Sequence, residues 1–203
     1  MRSSLEACFR DTVFIAHSLF DRGKTTGSTA NISFRHEGRI YISRTGSCFA
    51  TLTAEDFAVV EDRPGSIAVL SESQPSKELP LHRQLYERHA EIGAVIHTHG
   101  FYATLWSCLP HGDPDDVMPS YTPYLAMKVG KVRLVPYGSP GSNALFAHFA
   151  KRLDEGWAYL LANHGSVVGG KDPMDAFFRL EELEESARVA WHLRHAADAV
   201  RIS

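Results

Sequence analysis

Two histidines two residues apart, His97 and His99, close a short apolar run, Ala94-Val95-Ile96, that lies between Gly93 and Gly100. If the run is a β-strand, alternation puts both imidazoles on one face. Two imidazoles on a rigid strand can chelate a divalent ion, and imidazole is a preferred zinc ligand. A third histidine, His164, sits in Ala162-Asn163-His164-Gly165, behind a second apolar run, Trp157-Ala158-Tyr159-Leu160-Leu161. Three histidines and a carboxylate make a catalytic type of zinc site, and the carboxylate that fits is Glu78. It ends Ser76-Lys77-Glu78, at an expected helix N-terminus where backbone N–H groups favour anions. One helix and a turn separate it from His97, so the two can pack side by side. The spacing predicts His97, His99 and His164 as ligands, with Glu78 as displaceable fourth ligand and general acid/base.

The elements that must position these groups can be read from periodicity and turn residues. Residues 5–20 carry apolar groups at helical spacing, with Gly23 as a stop. Residues 31–43 read as a hairpin, with Ile32 and Phe34 leading into Glu37-Gly38 and Ile40 and Ile42 leading out. Thr53-Ala54-Glu55-Asp56 looks like a capped helical turn, and Ala58-Val59-Val60 like a strand. Ser76 is expected to cap a helix reaching His89. After the His97/His99 strand come a helix over 101–109, a Pro/Gly/Asp loop over 110–119, a strand over 132–135 and a helix over 143–153. Residues 159–168 read as two strands turned at His164-Gly165. Asp172-Pro173 then opens a long helix expected to reach about Ala199, with Asp as cap and Pro at the first helical position. Its acidic run, Glu181, Glu182, Glu184 and Glu185, reads as a solvated face or a subunit contact. Strands alternating with helices, several joined by hairpins, indicate an α/β protein. The expected arrangement is a three-layer α/β/α fold with a mainly antiparallel central sheet.

Composition sets the outer bounds. A chain of 203 residues suits one domain, residues 1–203, and 44% hydrophobic with 22% charged residues describes a water-soluble globular protein. A net charge of -3 gives no general attraction to nucleic acid or membrane. No apolar run approaches the ~20 residues that span a bilayer, and Met1-Arg2-Ser3-Ser4-Leu5-Glu6 lacks a signal peptide's apolar core. Cys8, Cys48 and Cys108 are odd in number and form no CxxC pair, which favours a reducing cytoplasm over a disulfide framework.

Taken in order, Ser76-Lys77-Glu78, His97-Thr98-His99 and Asn163-His164-Gly165 resemble the motifs of the class II aldolase/adducin family. The likeness runs from Thr26 to the last helix. It implies a nine-stranded, mainly antiparallel sheet between helical layers, a zinc ion and a C4 homotetramer, with the three histidines and Glu78 in the roles given above. Gly27-Ser28-Thr29-Ala30-Asn31 is similar to the family's loop for substrate phosphate, Thr45-Gly46-Ser47 to its second phosphate segment and Ser76-Lys77 to its third. The resemblance thus implies Ser28, Thr29, Asn31, Thr45, Gly46, Ser76 and Lys77 as phosphate contacts. Ala30 and Lys77 depart from the family's commoner glycine and serine. Tyr124 is similar to a tyrosine that in the aldolases enters a neighbouring subunit's site as proton donor. His82, one helical turn beyond Glu78, could stand behind the metal ligands, but a core or surface role is the expectation.

Three longer segments resemble the branch that decarboxylates 3-oxo-tetronate 4-phosphate. They are Ser76-Lys77-Glu78-Leu79-Pro80-Leu81-His82-Arg83, Thr122-Pro123-Tyr124-Leu125-Ala126-Met127-Lys128-Val129-Gly130 and the Leu180–Arg188 stretch of the last helix. The implied reaction gives dihydroxyacetone phosphate and carbon dioxide through an enediolate. The alternatives are an aldolase or epimerase of the L-fuculose 1-phosphate or L-ribulose 5-phosphate type, and a non-catalytic adducin-like scaffold. An end at Ser203, soon after the last helix, leaves little length for a tail over the substrate, which disfavours the aldolase. Retention of Glu78 and all three histidines disfavours the scaffold.

Overall fold

The computed structural model describes residues 4–63 and 66–202. The expectations that rest on Met1, Arg2, Ser3 and Ser203 lie outside the described residues. The strands are β1 (Asn31–His36), β2 (Arg39–Ser43), β3 (Phe57–Arg63), β4 (Ser66–Val69), β5 (Ala94–Thr98), β6 (Val132–Val135), β7 (Ala158–Leu161) and β8 (Gly165–Gly170). The helices are α1 (Leu5–Asp21), α2 (Leu79–Arg88), α3 (Phe101–Ser107), α4 (Pro123–Lys128), α5 (Asn143–Arg152) and α6 (Pro173–Leu193). One sheet takes up all these strands in the order β4-β3-β2-β1-β5-β8-β7-β6. All neighbours are antiparallel except β6 and β7, which run parallel.

The sheet has eight strands among the described residues, not the nine that the family resemblance implies. A further pairing begins where Arg44 faces Pro75, but it stays a single bridge. Proline has no N–H with which to extend a ladder.

Helices cover both faces, giving a three-layer α/β/α fold. Ile15, Ala16 and Leu19 of α1, Ala103 and Trp106 of α3, and Leu180, Leu183 and Ala187 of α6 pack with Ile32, Phe34, Ala94 and Ile96 of the sheet. On the other face Leu81 and Leu85 of α2 and Phe149 of α5 pack with Ile42, Val60, Val95, Tyr159 and Val167. Alternation along β5 sends Ala94 and Ile96 to the first core and Val95 to the second, so His97 falls on the α2 side. Asn31 and Ser33 fall on that same side of β1, between Ile32 and Phe34, which face the first core.

Local signals explain most boundaries. Glu37 (φ 47°) and Gly38 (φ 77°) close the β1–β2 hairpin with two positive φ values, the pattern of a primed two-residue turn. Ser4 caps α1, Asp172 caps α6 and Ser142 caps α5, each side-chain oxygen accepting a backbone N–H from inside its helix. Thr53 and Asp56 form a reciprocal capping box around a single 3₁₀ turn. Helix α2 begins at Leu79, not behind a Ser76 cap. Ser76 N–H bonds to the carbonyl of Ser43 (3.2 Å), so this segment is tied to the end of β2 and turns helical only after Glu78. Helix α6 stops at Leu193 rather than near Ala199. Beyond it Ala196 bonds back to Leu193 and Ala199 to Ala196, three-residue turns that do not continue the helix, and Ile202 N–H is held by Ser120. Among the described residues no helix is long and apolar enough to cross a membrane.

Candidate metal centre

Three neighbouring strands, β1, β5 and β8, meet at the centre of the sheet, with Asn31 opposite His97 and His97 opposite Val167. His97 is fully buried there, and His99 follows one residue after the strand ends. The Nε2 atoms of the two rings lie 3.1 Å apart, so the pair converges as the spacing predicted. His164 comes from the β7–β8 turn, and its ring centroid stands 5.0 Å from those of both His97 and His99.

The Asn-His-Gly sequence of that turn has a local reason. Asn163 adopts φ 55°, a left-handed conformation that asparagine tolerates better than most residues. A Cβ on Gly165 would stand 2.4 Å from the carbonyl oxygen of Thr98 and 2.7 Å from Cδ2 of His99. Only glycine lets the turn come this close to the His97/His99 segment.

Glu78 reaches the triad from the turn ahead of α2. Its Oε2 is 3.1 Å from His97 Nε2, and its Oε1 is 3.7 Å from His164 Nε2. One ligand atom from each histidine lies within 4.8 Å of the others, a group that can hold a metal ion. A tetrahedral ion with bonds of about 2.0–2.1 Å keeps its ligand atoms about 3.3 Å apart, close to the observed spans. The electron pairs also fit a cation. His97 donates from Nδ1 to the carbonyl of Ser166 (2.9 Å), which leaves the Nε2 lone pair facing His99 and Glu78. Glu78 Oε1 is buried without a hydrogen-bond partner.

Electrostatics keep the group in the form an ion requires. Burial, and repulsion from His97 and His164 wherever they carry a proton, hold His99 down to about 3. Burial and the same repulsion from a protonated His97 hold His164 down to about 4. For Glu78 burial acts upward, but attraction to a protonated His97 and its hydrogen bond, attraction to a protonated His164 and a bond from Asn31 outweigh it, leaving about 2. At pH 7 His99 and His164 are neutral donors and Glu78 is a carboxylate.

The residues assigned to phosphate separate into two groups. Ser28, Thr29, Thr45, Gly46 and Lys77 are exposed and Ser76 is half-buried. Thr45 N–H bonds to the carbonyl of Gln74 (3.0 Å), which sets the second segment beside the third. The first segment runs straight into Asn31, across β1 from the end of β2, so all three gather at one end of the hairpin. Asn31 itself is buried and turned inward, donating from Nδ2 to Glu78 Oε2 (3.1 Å) and holding His82 on Oδ1 (2.5 Å). Both ends of its amide are therefore engaged with Glu78 and His82. Tyr124 stands exposed on α4, and no hydrogen bond or ring contact joins it to the triad among the described residues.

Three contributions add to the sequence reading. His82 is fully buried against Asn31 and Ser33, and its position four residues after Glu78, on the same helical face, was the available signal. Glu184, read with the solvated acidic run, is instead buried. Its carboxylate accepts the N–H groups of Tyr102 (3.0 Å) and Ala103 (2.8 Å) at the start of α3, just after His99-Gly100. Gly141 approaches Lys77 closely enough that a Cβ there would lie 3.5 Å from the lysine Cβ, which puts the 137–142 loop beside the phosphate segments.

Comparison with known proteins agrees with this geometry. Residues 10–191 match the family model for the class II aldolase and adducin N-terminal domain. The chain is 38% identical to the 3-oxo-tetronate 4-phosphate decarboxylase of Haemophilus influenzae over 90% of its own length and 86% of that protein. It is 34% identical to an L-fuculose phosphate aldolase of Methanococcus maripaludis over 86% of its length and 91% of the relative. The crystal structure of YgbL from Klebsiella pneumoniae superposes with a TM-score of 0.92 at 35% identity, covering 100% of this chain and 96% of that one.

Proposed function

The chain belongs to the class II aldolase and adducin family, and from that premise we propose that it is a zinc-dependent decarboxylase of 3-oxo-tetronate 4-phosphate. One observation carries the reading: three histidines and Glu78 cluster beside polar segments suited to a phosphate, in a chain 38% identical to a protein named for this reaction. His97, His99 and His164 would hold the ion, with Glu78 completing its shell. Zinc is the ion favoured by imidazole and carboxylate donors at near-tetrahedral spacing.

The substrate has a ketone β to its carboxylate, so the C1–C2 bonding pair can pass to the ketone as carbon dioxide leaves. A divalent ion in the pocket supplies Lewis-acid stabilisation for the negative charge that collects on oxygen. Glu78, a carboxylate at pH 7, would relay a proton from water to C2, where the C1–C2 bond broke, and that protonation gives dihydroxyacetone phosphate. Asn31, bonded to Glu78 Oε2, orients that carboxyl group. The exposed hydroxyls of Ser28, Thr29 and Thr45, the backbone at Gly46, and Ser76 with the Lys77 ammonium bind the phosphate. Tyr124 and Met127, both exposed on α4, suit a subunit contact in a homotetramer, where Tyr124 would serve a neighbouring site as proton donor. Free Cys8, Cys48 and Cys108 are compatible with a cytoplasmic enzyme.

Loss of an aldehyde from a ketose phosphate leaves the same enediolate, and the 34% identity to an L-fuculose phosphate aldolase favours that as the second reading. The deciding experiment offers zinc-loaded protein 3-oxo-tetronate 4-phosphate and L-fuculose 1-phosphate in parallel. Carbon dioxide released from the first is the expected result. Aldehyde from the second without carbon dioxide from the first would replace the decarboxylase with the aldolase. Neither product would leave the adducin-like scaffold.

A further inference from the structure

Behind the metal centre runs a row of polar side chains that the chemistry above leaves without a task. Tyr86 Oη lies 2.6 Å from Ser33 Oγ, Ser33 Oγ 2.7 Å from His82 Nδ1, and His82 Nε2 2.5 Å from Asn31 Oδ1. Asn31 Nδ2 then reaches Glu78 Oε2 at 3.1 Å. Asn31 and Ser33 come from β1, and His82 and Tyr86 from α2, so the row fastens the helix to the strand that flanks His97. All four side chains behind Glu78 are buried.

The donor and acceptor inventory leaves this row one polarity. A Glu78 carboxylate only accepts, so Asn31 must turn its NH₂ toward it and its Oδ1 toward His82. That oxygen only accepts, so His82 must carry its proton on Nε2. Nδ1 must then accept, and the hydroxyl facing it is Ser33, which in turn accepts from Tyr86. Every donor in the row points toward Glu78. Burial, aided by the charge of His97, pushes His82 down to about 3, so it stays neutral and keeps an acceptor nitrogen for Ser33. Burial raises the Tyr86 phenol well above its ordinary range, so it keeps its proton.

We propose that His82 is a positioning residue of the metal centre. By donating from Nε2 to Asn31, it locks the amide so that its NH₂ holds Glu78 Oε2 and leaves Oε1 for the ion. Oε1 is the oxygen that has no hydrogen-bond partner. A histidine present only for packing would sit there in either tautomer, and an apolar side chain of similar size would replace it without consequence for the ion. The inference rests on the metal reading above, and its test therefore measures metal binding rather than turnover.

Zinc is titrated into metal-free protein against a chromophoric chelator, for the unaltered chain, His82→Leu and His82→Gln, with folding checked by circular dichroism. His82→Leu is expected to bind zinc about tenfold more weakly, the low end of the range for losing a direct partner of a metal ligand, because His82 acts through Asn31. His82→Gln, whose amide can still donate to Asn31 Oδ1, should recover most of that loss. Folded His82→Leu with affinity within twofold of the unaltered chain would overturn the inference. Should His82→Leu fail to fold, the imidazole ¹⁵N spectrum of the unaltered protein decides, the Nε2–H tautomer supporting the inference and the Nδ1–H tautomer overturning it. An unaltered chain that takes up no zinc overturns the functional reading and this inference together, whereas a zinc-binding chain with an indifferent His82→Leu overturns this inference alone.

Discussion

Replacing Glu184 by glutamine tests whether the last helix holds the metal centre in place from the far side of the sheet. The Glu184 carboxylate is buried and accepts two backbone N–H groups, from Tyr102 at 3.0 Å and Ala103 at 2.8 Å. Gly100 makes this approach possible, since a Cβ there would stand 2.7 Å from Glu184 Oε2. Glutamine keeps one acceptor oxygen but turns an NH₂ toward the other backbone N–H, leaving a buried donor unmatched at about 1–3 kcal/mol. Removing the anion from the start of α3 adds about 0.3–1 kcal/mol. The sum is about 1–4 kcal/mol, which for a chain of this size lowers Tm by roughly 3–16 °C. Because Tyr102 and Ala103 lie only three and four residues after His99, the loss should be local as well as global. The assay is a thermal melt of the metal-free protein with amide hydrogen exchange, in which the Tyr102 and Ala103 amides should exchange faster than those of β5. A Tm within 1 °C of the unaltered chain, or no selective change at these two amides, would refute the argument that Glu184 anchors the His99 segment.

Gly165→Ala forces a methyl against the Thr98 carbonyl and the His99 ring. It should cost about 1–3 kcal/mol of stability and weaken zinc binding, read by chelator competition; unchanged affinity would mean that His99 is not displaced. Glu78→Gln should leave the far-ultraviolet circular dichroism spectrum intact and abolish most turnover on whichever substrate the chain accepts, and a variant with full turnover would remove Glu78 from the acid/base role. Acid should unfold the metal-free protein from near neutrality. With burial holding folded His82 down to about 3 against an ordinary 6.5, the unfolded chain binds the proton between those two pH values and the native chain does not. Stability therefore falls as pH falls through that window. Urea midpoints that do not drop between pH 7 and pH 5 would contradict this.

The features written locally in the chain were the legible ones. Hairpin alternation, the Glu37-Gly38 turn and the Asp172-Pro173 helix start are decided by residues a few positions apart, and so is the convergence of His97 with His99. Helix α4 has a start like that of α6, with Thr122-Pro123 in place of Asp172-Pro173, but at six residues it is too short to show a helical periodicity. What stayed hidden depends on distant partners. Ser76 looks like a helix cap until Ser43 claims its N–H, and Glu184 looks solvated until α3 docks its first turn on the carboxylate. Asn31 sits in a loop-like run of small residues that suggests phosphate, yet its place opposite His97 in the sheet turns it toward Glu78 and His82. In all three cases hydrogen-bond demand from another element overrides the local pattern.

The architecture also explains how one family can carry reactions that lose different fragments. The groups proposed to hold the ion and move the proton are fixed by buried contacts: His97 by its strand and the Ser166 carbonyl, His99 through the Gly165 turn and the α3 start, and Glu78 by Asn31. The groups that would meet the rest of the substrate, Ser28, Thr29, Thr45 and Lys77, are exposed on connecting segments. Substitutions at these positions disturb little packing, whereas a change at Asn31, Gly165 or Glu184 disturbs buried hydrogen bonds or close contacts that cost kilocalories. Specificity can therefore drift while the charge-stabilising pocket stays put. At exposed Lys77, where the family resemblance implies a serine in the fuculose-phosphate enzymes, the proposed reading puts an added cation that would suit a substrate with a carboxylate as well as a phosphate.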